Sequence, residues 1–299
     1  MVNLSGVYPA LTTPFDRDGG VSLSDLKHNI RLYNATDLAG YVVLGSTGES
    51  VLLSHAEKES ILELVRDAAG TEKRLIAGTG AESTAETIEN TKRAAEIGYH
   101  VALVKTPHYY KPSYKPHVLA RHFRSVADAS PIPVLLYSVP IFTGIALESA
   151  EVIALSEHPN IVGIKDSSGD VRRVAETIAG TPADFQVLVG AASTILSCFV
   201  LGAAGAILAL ASALPEKCVA VHQLFRQGQL EKARELQLKL VQASKVIVSE
   251  MGIAGLKCAM DLREYRGGAP RLPLLPLQEE QKKQLSGLLA SLEPATARA

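Results

Sequence analysis

Short apolar segments alternate with longer amphipathic segments along most of the chain. The apolar segments are rich in β-branched residues, which predicts strands buried on both faces. The segments between them repeat apolar positions with helical spacing, and Ser54 with Glu57 forms a capping box at one helix start. The pattern predicts eight strands, each followed by a helix. We place the strands at 6–13, 40–44, 74–78, 100–105, 133–137, 161–168, 185–189 and 205–210.

Strict alternation of strands and helices favours a parallel sheet, and eight such pairs within about 215 residues predict a closed (β/α)8 TIM barrel. The alternative, a doubly wound open sheet, is less favoured because no glycine-rich phosphate fingerprint follows the first strand. Beyond Gln229 the pattern is helical. We therefore expect a catalytic barrel over residues 1–228 and additional C-terminal helices over 229–299, with a frayed tail from Glu293.

Composition and charge argue against several classes of protein. Thirty lysines and arginines face 31 aspartates and glutamates, so no basic excess favours nucleic acid or an anionic membrane. No apolar run approaches the roughly 18 residues that a membrane helix needs, and the first six residues lack a secretory pattern. Three widely spaced cysteines in apolar surroundings fit a reduced compartment. These features predict a cytoplasmic protein.

The sixth apolar segment, Ile161 to Ile164, runs directly into Lys165. Burial disfavours the charged form of a lysine, and a desolvated lysine is a nucleophile for carbonyl carbons. From this segment alone, a lysine that reaches past the sheet to solvent is an equal alternative. Active-site residues of TIM barrels lie at the carboxyl ends of the strands. The barrel prediction therefore places Lys165 at the barrel mouth.

Other polar residues follow neighbouring strands. Tyr137 ends strand five beside Lys165, where a phenol can shuttle the protons that imine formation needs. The hydroxyls and amides of Ser46 and Thr47, after strand two, can hold a carboxylate. Together these groups suit a 2-oxo acid. A core role for Tyr137 and a simple turn role for Ser46 and Thr47 are the alternatives.

The sequence lacks the motifs of metal-dependent enzymes and of serine hydrolases that we looked for. The histidines show no metal-ligand spacing such as HExxH, and no GxSxG pattern supports a serine hydrolase. We therefore expect neither a metal nor a cofactor.

The order and spacing of four motifs resemble the dihydrodipicolinate synthase / N-acetylneuraminate lyase family of Schiff-base class I aldolases. The motifs are Gly45-Ser46-Thr47-Gly48-Glu49, Thr106-Pro107 with the tyrosines after it, Tyr137-Ser138-Val139-Pro140 with Thr143-Gly144, and Gly163-Ile164-Lys165-Asp166. The resemblance covers essentially the whole chain. It implies a homotetrameric lyase that acts on pyruvate and an aldehyde without a metal.

The resemblance also implies a role for each site residue. Lys165 would form the Schiff base with pyruvate, and Tyr137 would relay protons. Thr47 would link Tyr137 to a tyrosine of the neighbouring subunit, which an ungapped count places at Tyr109, with Tyr110 as the alternative. Ser46 and Thr47 would bind the carboxylate. The remaining implied pocket residues are Gly190 and the backbone of Ile207.

The branch within the family depends on Ser138 and Phe142. Synthases of the lysine pathway usually carry Asn at the first position and Arg at the second. Phe142 cannot form the charge-assisted hydrogen bonds of that arginine, which contribute about 1.5–3 kcal/mol. It also departs from the small polar residue that is usual in 4-hydroxy-2-oxoglutarate aldolases. Stretches similar to the mitochondrial type of these aldolases are 137–140, 158–174, 184–188 and 252–261.

From these similarities we expect cleavage of 4-hydroxy-2-oxoglutarate to pyruvate and glyoxylate. One alternative is a 4-hydroxy-tetrahydrodipicolinate synthase that condenses pyruvate with aspartate semialdehyde. Others are a sugar-acid lyase or dehydratase and, from a different class, a barrel that binds 2-oxo acids without turnover.

Overall fold

The computed structural model describes residues 2–292, and within them the apolar segments form one eight-stranded parallel sheet. Its neighbours run in the order β1-β8-β7-β6-β5-β4-β3-β2. The strands are β1 Gly6–Pro9, β2 Gly40–Val43, β3 Arg74–Gly78, β4 Val101–Lys105, β5 Val134–Ser138, β6 Ile161–Asp166, β7 Gln186–Val189 and β8 Gly205–Leu208.

The sheet closes on itself between β1 and β2. The Ala39 N–H donates to the Val7 carbonyl, and the Leu11 N–H donates to the Val42 carbonyl, each at 2.9 Å. On its other side β1 pairs with β8 in parallel register. The fold is therefore a (β/α)8 TIM barrel, as predicted, and the open-sheet alternative is wrong.

Helices connect the strands and cover the outside of the barrel. These are α1 Leu23–Asn34, α2 His55–Ala68, α3 Thr84–Ile97, α4 Pro116–Ala129, α5 Pro140–Thr143, α6 Ser149–Ser156, α7 Val171–Gly180, α8 Ile195–Val200 and α9 Pro215–Arg226. The predicted capping box at Ser54 and Glu57 is present at the start of α2. The short helix α5 was not predicted. It begins at Pro140 and ends where Gly144 takes a left-handed conformation, with φ of 66°.

The additional C-terminal helices are α10 Leu230–Ala243, α11 Gly252–Asp261 and α12 Glu279–Leu292, and a π-helical segment over Ser244–Glu250 continues α10. The predicted fraying from Glu293 lies outside the described residues. The division at residues 228 and 229 stays a prediction. Within residues 2–292, no helix is both long and apolar enough to cross a membrane.

Alternating strand residues build two layers of core. One set points into the barrel, and the opposite set packs against the surrounding helices. The interior set includes Leu103 on β4, Tyr137 on β5 and Ile207 on β8. Side chains of the same parity at the strand ends therefore converge on the barrel mouth.

Candidate active site

Lys165 and Tyr137 lie side by side on adjacent strands. The two residues are register partners of β6 and β5, and their side chains share the interior face of the barrel. The Lys165 Nζ atom lies 4.3 Å from the centroid of the Tyr137 ring. Both residues are buried, at 4% and 5% exposed. The lysine is therefore enclosed rather than reaching past the sheet to solvent.

The loop after β2 brings a hydroxyl to this pair. Ser46 begins a tight 3₁₀ turn, and its Oγ atom lies 3.5 Å from the Tyr137 hydroxyl. Thr47 is buried in the same turn. The turn lies between two non-glycine residues in the left-handed region, Leu44 with φ of 60° and Glu49 with φ of 54°. Such conformations are costly and persist where the surroundings impose them.

A buried ion pair imposes the conformation of this loop. The Glu49 Oε1 atom lies 2.6 Å from Nζ of Lys257 on α11, and both side chains are essentially inaccessible to solvent. Lys257 also donates to the Ala269 carbonyl at 2.9 Å, and its amine lies 4.4 Å from the centre of the Phe15 ring. Burial lowers the pKa of Lys257, and the Glu49 carboxylate acts in the opposite direction. The loop is thus anchored to the C-terminal helices.

Arg271 joins the same anchor from the segment between α11 and α12. Its backbone N–H donates to Glu49 Oε2 at 2.8 Å, and its guanidinium contacts both carboxylate oxygens of Glu57. The guanidinium carbon lies 4.3 Å from the centre of the Phe15 ring, so two cations contact one phenyl ring. Glu49 therefore positions the loop.

Gly190 directly follows β7, the strand beside β6, and Ile207 lies on β8, the next strand. The Gly190 N–H donates to the Asp166 carbonyl at 2.6 Å, and a Cβ atom at Gly190 would collide with the Ser167 side chain. A side chain at position 190 would thus push against the segment that follows Lys165. Ile207 is fully buried in the barrel interior.

The two candidate tyrosines after β4 lie on the surface. Tyr109 is 76% exposed and Tyr110 is 66% exposed, and their rings pack edge to face with centroids 5.0 Å apart. No contact between either ring and Thr47 is found among residues 2–292. Tyr109 lines the same cavity as Ser46 and Tyr137. The role of either tyrosine in the site stays a prediction.

The two predicted specificity residues differ in position. Ser138 is fully buried, and its hydroxyl accepts a hydrogen bond from the Leu147 N–H at 3.2 Å. Phe142 lies on α5, is 61% exposed and lines the cavity at the barrel mouth. Ser138 therefore supports the loop after α5, whereas Phe142 faces the space that a substrate would enter.

That cavity has a volume of about 1410 Å³ and is lined by Ser46, Tyr137 and Phe142, together with residues from the loops after β2 and β3 and from helices α2 and α3. Lys165 is not among the lining residues, but Tyr137 is, and the Lys165 amine lies against the Tyr137 ring. A 2-oxo acid reaching Lys165 from this cavity would therefore pass Tyr137.

Sequence reasoning missed a second lysine at the mouth. Lys105 ends β4, lines the same cavity, and contacts Glu82 Oε1 at 3.5 Å and His108 Nδ1 at 3.4 Å. The signal was available, because an apolar strand runs into Lys105 just as another runs into Lys165. No group of three His, Cys, Asp or Glu side chains suited to a metal ion occurs within the described range.

The geometry defines a class: a (β/α)8 barrel with a buried lysine and a tyrosine at the carboxyl ends of adjacent strands, beside a hydroxyl-bearing loop. The model of the dihydrodipicolinate synthetase family matches residues 3–292. The chain belongs to this family, and it is an enzyme of the lyase class, as the resemblance implied.

Curated relatives match over nearly their full length. A 4-hydroxy-tetrahydrodipicolinate synthase of Natronomonas pharaonis is 38% identical over 292 residues, which cover 97% of this chain and 98% of the relative. The synthase of the same name from Methanothrix thermoacetophila is 36% identical over 292 residues, with the same two coverages.

The fold comparison agrees. The crystal structure of a dihydrodipicolinate synthase from Bacillus anthracis aligns with a TM-score of 0.93 at 30% identity, covering 98% of this chain and all of the other. These comparisons support the family. They favour the condensing alternative over the expected cleavage of 4-hydroxy-2-oxoglutarate, for which they offer no support.

Proposed function

We propose that this protein is a pyruvate-dependent aldolase in which Lys165 forms a Schiff base with the ketone carbon of pyruvate. The observation that supports this most directly is the pairing of Lys165 and Tyr137, with the Lys165 amine 4.3 Å from the ring centre. The Tyr137 hydroxyl then reaches Ser46 at 3.5 Å. An amine, a phenol and a carboxylate-binding loop are the groups that imine chemistry on a 2-oxo acid requires.

The proposed reaction begins when neutral Lys165 attacks C2 of pyruvate. The former ketone oxygen takes up protons and leaves as water, giving an iminium ion. Loss of a proton from the methyl carbon gives an enamine, whose carbon adds to the carbonyl of an aldehyde. The aldehyde oxygen takes up a proton, and water or an internal amine displaces Lys165 from C2. Cleavage of a 4-hydroxy-2-oxo acid follows the same steps in reverse.

Tyr137 is the proposed proton carrier in these steps, because its ring lies against the Lys165 amine and its hydroxyl lies 3.5 Å from the Ser46 Oγ atom. The amides and hydroxyls of Ser46 and Thr47 bind the carboxylate of pyruvate in this proposal. Thr47 would connect Tyr137 to Tyr109 or Tyr110 of a partner subunit in a homotetramer. The high exposure of both tyrosines in one chain supports such a contact. We place the enzyme in the cytoplasm.

For the second substrate we propose aspartate semialdehyde. The support comes from relatives named 4-hydroxy-tetrahydrodipicolinate synthase that match 97% of this chain at 36% and 38% identity. Condensation with pyruvate would give 4-hydroxy-tetrahydrodipicolinate and water.

Phe142 counts against the synthase and leaves a second candidate, the cleavage of 4-hydroxy-2-oxoglutarate, although Phe142 departs from the usual residue of that branch as well. It lines the cavity where the resemblance expects an arginine in synthases, and it presents an exposed apolar ring instead. A synthase of this sequence would have to bind the carboxylate of aspartate semialdehyde by other means.

Borohydride reduction in the presence of pyruvate tests the Schiff base. We expect a stable pyruvyl adduct on the peptide that contains Lys165, and no adduct in a Lys165→Ala variant. Lys105→Ala serves as the matched control, because it removes the other strand-end lysine of the cavity. An adduct that stays on the protein in Lys165→Ala would refute the assignment.

A substrate panel separates the two candidates. Condensation of pyruvate with aspartate semialdehyde supports the synthase, and release of pyruvate from 4-hydroxy-2-oxoglutarate supports the aldolase. We expect Phe142→Arg to raise the condensing activity relative to cleavage, because it restores a cation at the cavity wall. An unchanged ratio of the two activities would show that Phe142 does not separate the branches.

A further inference from the structure

Lys105 shares the interior face of the barrel with the proposed catalytic residues. It is the register partner of Tyr137 on the neighbouring strand, and Leu103, two residues earlier on β4, points into the barrel core. Lys105 and Tyr137 line the same cavity. Tyr137 thus has a lysine beside it on each neighbouring strand.

The Lys105 amine is partly enclosed and loosely held. Its side chain is 16% exposed, and its polar contacts in the described chain are long, 3.5 Å to Glu82 and 3.4 Å to His108. Burial lowers the pKa of Lys105, and the Glu82 carboxylate opposes this effect. An ammonium group has three donors, so this geometry leaves capacity for a further acceptor.

Glu82, the nearest carboxylate, is occupied by the loop after β4. It accepts the backbone N–H groups of His108 and Tyr109, each at 2.9 Å, and lies 2.6 Å from the His108 ring nitrogen. Burial acts to raise the pKa of Glu82, but these N–H groups and the Lys105 charge outweigh it and leave the pKa below its usual value. Glu82 therefore fixes the loop, and its contact with Lys105 is the longest of these contacts.

The other cations of the cavity are placed differently. In residues 2–292, the cavity-lining lysines and arginines besides Lys105 are Lys58 on α2 and Lys92 and Arg93 on α3. Arg93 already contacts three glutamates. Lys105 differs in ending a barrel strand beside Tyr137, and the exposed ring of Phe142 offers no charge of its own.

We propose that Lys105 is a specificity-determining residue that binds a second carboxylate, at the end of the substrate remote from the Schiff base. The inference rests on the proposed function, in which the first carboxylate binds at Ser46 and Thr47. It holds for either candidate substrate, since aspartate semialdehyde and 4-hydroxy-2-oxoglutarate both carry a carboxylate at that end. It also supplies the cation that Phe142 does not.

The test compares two 2-oxo acids of equal chain length, 2-oxoglutarate and 2-oxopentanoate, by borohydride trapping on Lys165. We expect the wild-type protein to reach half-maximal adduct at a lower concentration of 2-oxoglutarate. In Lys105→Met, the 2-oxoglutarate concentration that gives half-maximal adduct should rise by about tenfold or more. The curves for 2-oxopentanoate and pyruvate should stay within about twofold.

Two further variants serve as controls. Lys105→Gln removes the charge with a polar side chain of similar length and should reproduce the loss. Lys58→Met removes a cavity-lining cation from α2 and should leave the preference unchanged. An unchanged 2-oxoglutarate curve in both Lys105 variants would overturn the inference, and so would an equal loss for 2-oxopentanoate. Absence of any pyruvate adduct in the wild-type protein would instead overturn the proposed function.

Discussion

Two lysine–carboxylate pairs flank the candidate site and differ in almost every physical respect. Lys257 and Glu49 meet at 2.6 Å with both side chains excluded from solvent, whereas Lys105 and Glu82 are 3.5 Å apart at the cavity wall. The first pair fixes the loop that carries Ser46 and Thr47. The second leaves an amine with unused donors facing the cavity. Tight burial thus marks a structural lysine here, and loose pairing marks one available to a ligand.

The largest expected effect comes from breaking the tight pair. Lys257→Met leaves the Glu49 carboxylate buried without its countercharge, which typically costs about 3–5 kcal/mol. We expect the free energy of unfolding to fall by this amount, measured by urea denaturation followed by circular dichroism.

The double variant Glu49→Gln with Lys257→Met is the control, because it removes both charges and keeps an acceptor for the Arg271 N–H. It should be more stable than Lys257→Met alone. If Lys257→Met cost less than about 1 kcal/mol, the pair would not anchor the loop as described.

A smaller effect is expected at Glu57, which holds the guanidinium of Arg271 at the edge of the same anchor. The hydrogen bonds from Arg271 lower the pKa of Glu57 from 4.5 to about 2. A carboxyl with a lowered pKa in the folded state stabilises the protein above the unfolded value, and this contribution is lost as the pH falls from 4.5 towards 2. Glu57→Gln should cost about 1 kcal/mol at neutral pH.

The dependence of the unfolding free energy on pH tests the role of Glu57 most directly. Between pH 4.5 and 2 the wild-type protein should lose more stability than Glu57→Gln, so the two urea midpoints should converge as the pH falls. Midpoints that stay equally far apart at every pH would show that the Arg271 contact does not lower the pKa of Glu57.

The two lysine pairs also show how far the sequence alone can be interpreted. Strand order and barrel closure were predictable, because alternating local patterns restrict the topology strongly. Lys165 was found because it ends an apolar strand. The same pattern ends at Lys105 in β4. Lys105 was not singled out, although the Thr106-Pro107 motif follows it directly.

The pairing of Glu49 with Lys257 had no comparable local signal. Lys257 lies on α11, far along the chain from the loop after β2, and its sequence neighbours form an ordinary helix. The partner of Glu49 is specified only by the packing of the C-terminal helices. The role of the exposed tyrosines could not be tested in one chain, because the contact proposed for them would be made to another subunit.

The smallest expected effect on stability is that of Lys105→Met, and it completes the comparison because the identical substitution is made at Lys257. Glu82 keeps its two backbone N–H donors and His108 after the change, so no carboxylate is left without partners. We expect the free energy of unfolding to change by less than about 1 kcal/mol in the same urea experiment. A loss as large as that of Lys257→Met would mean that Lys105 is a second structural anchor. Its amine would then not be free to bind a carboxylate.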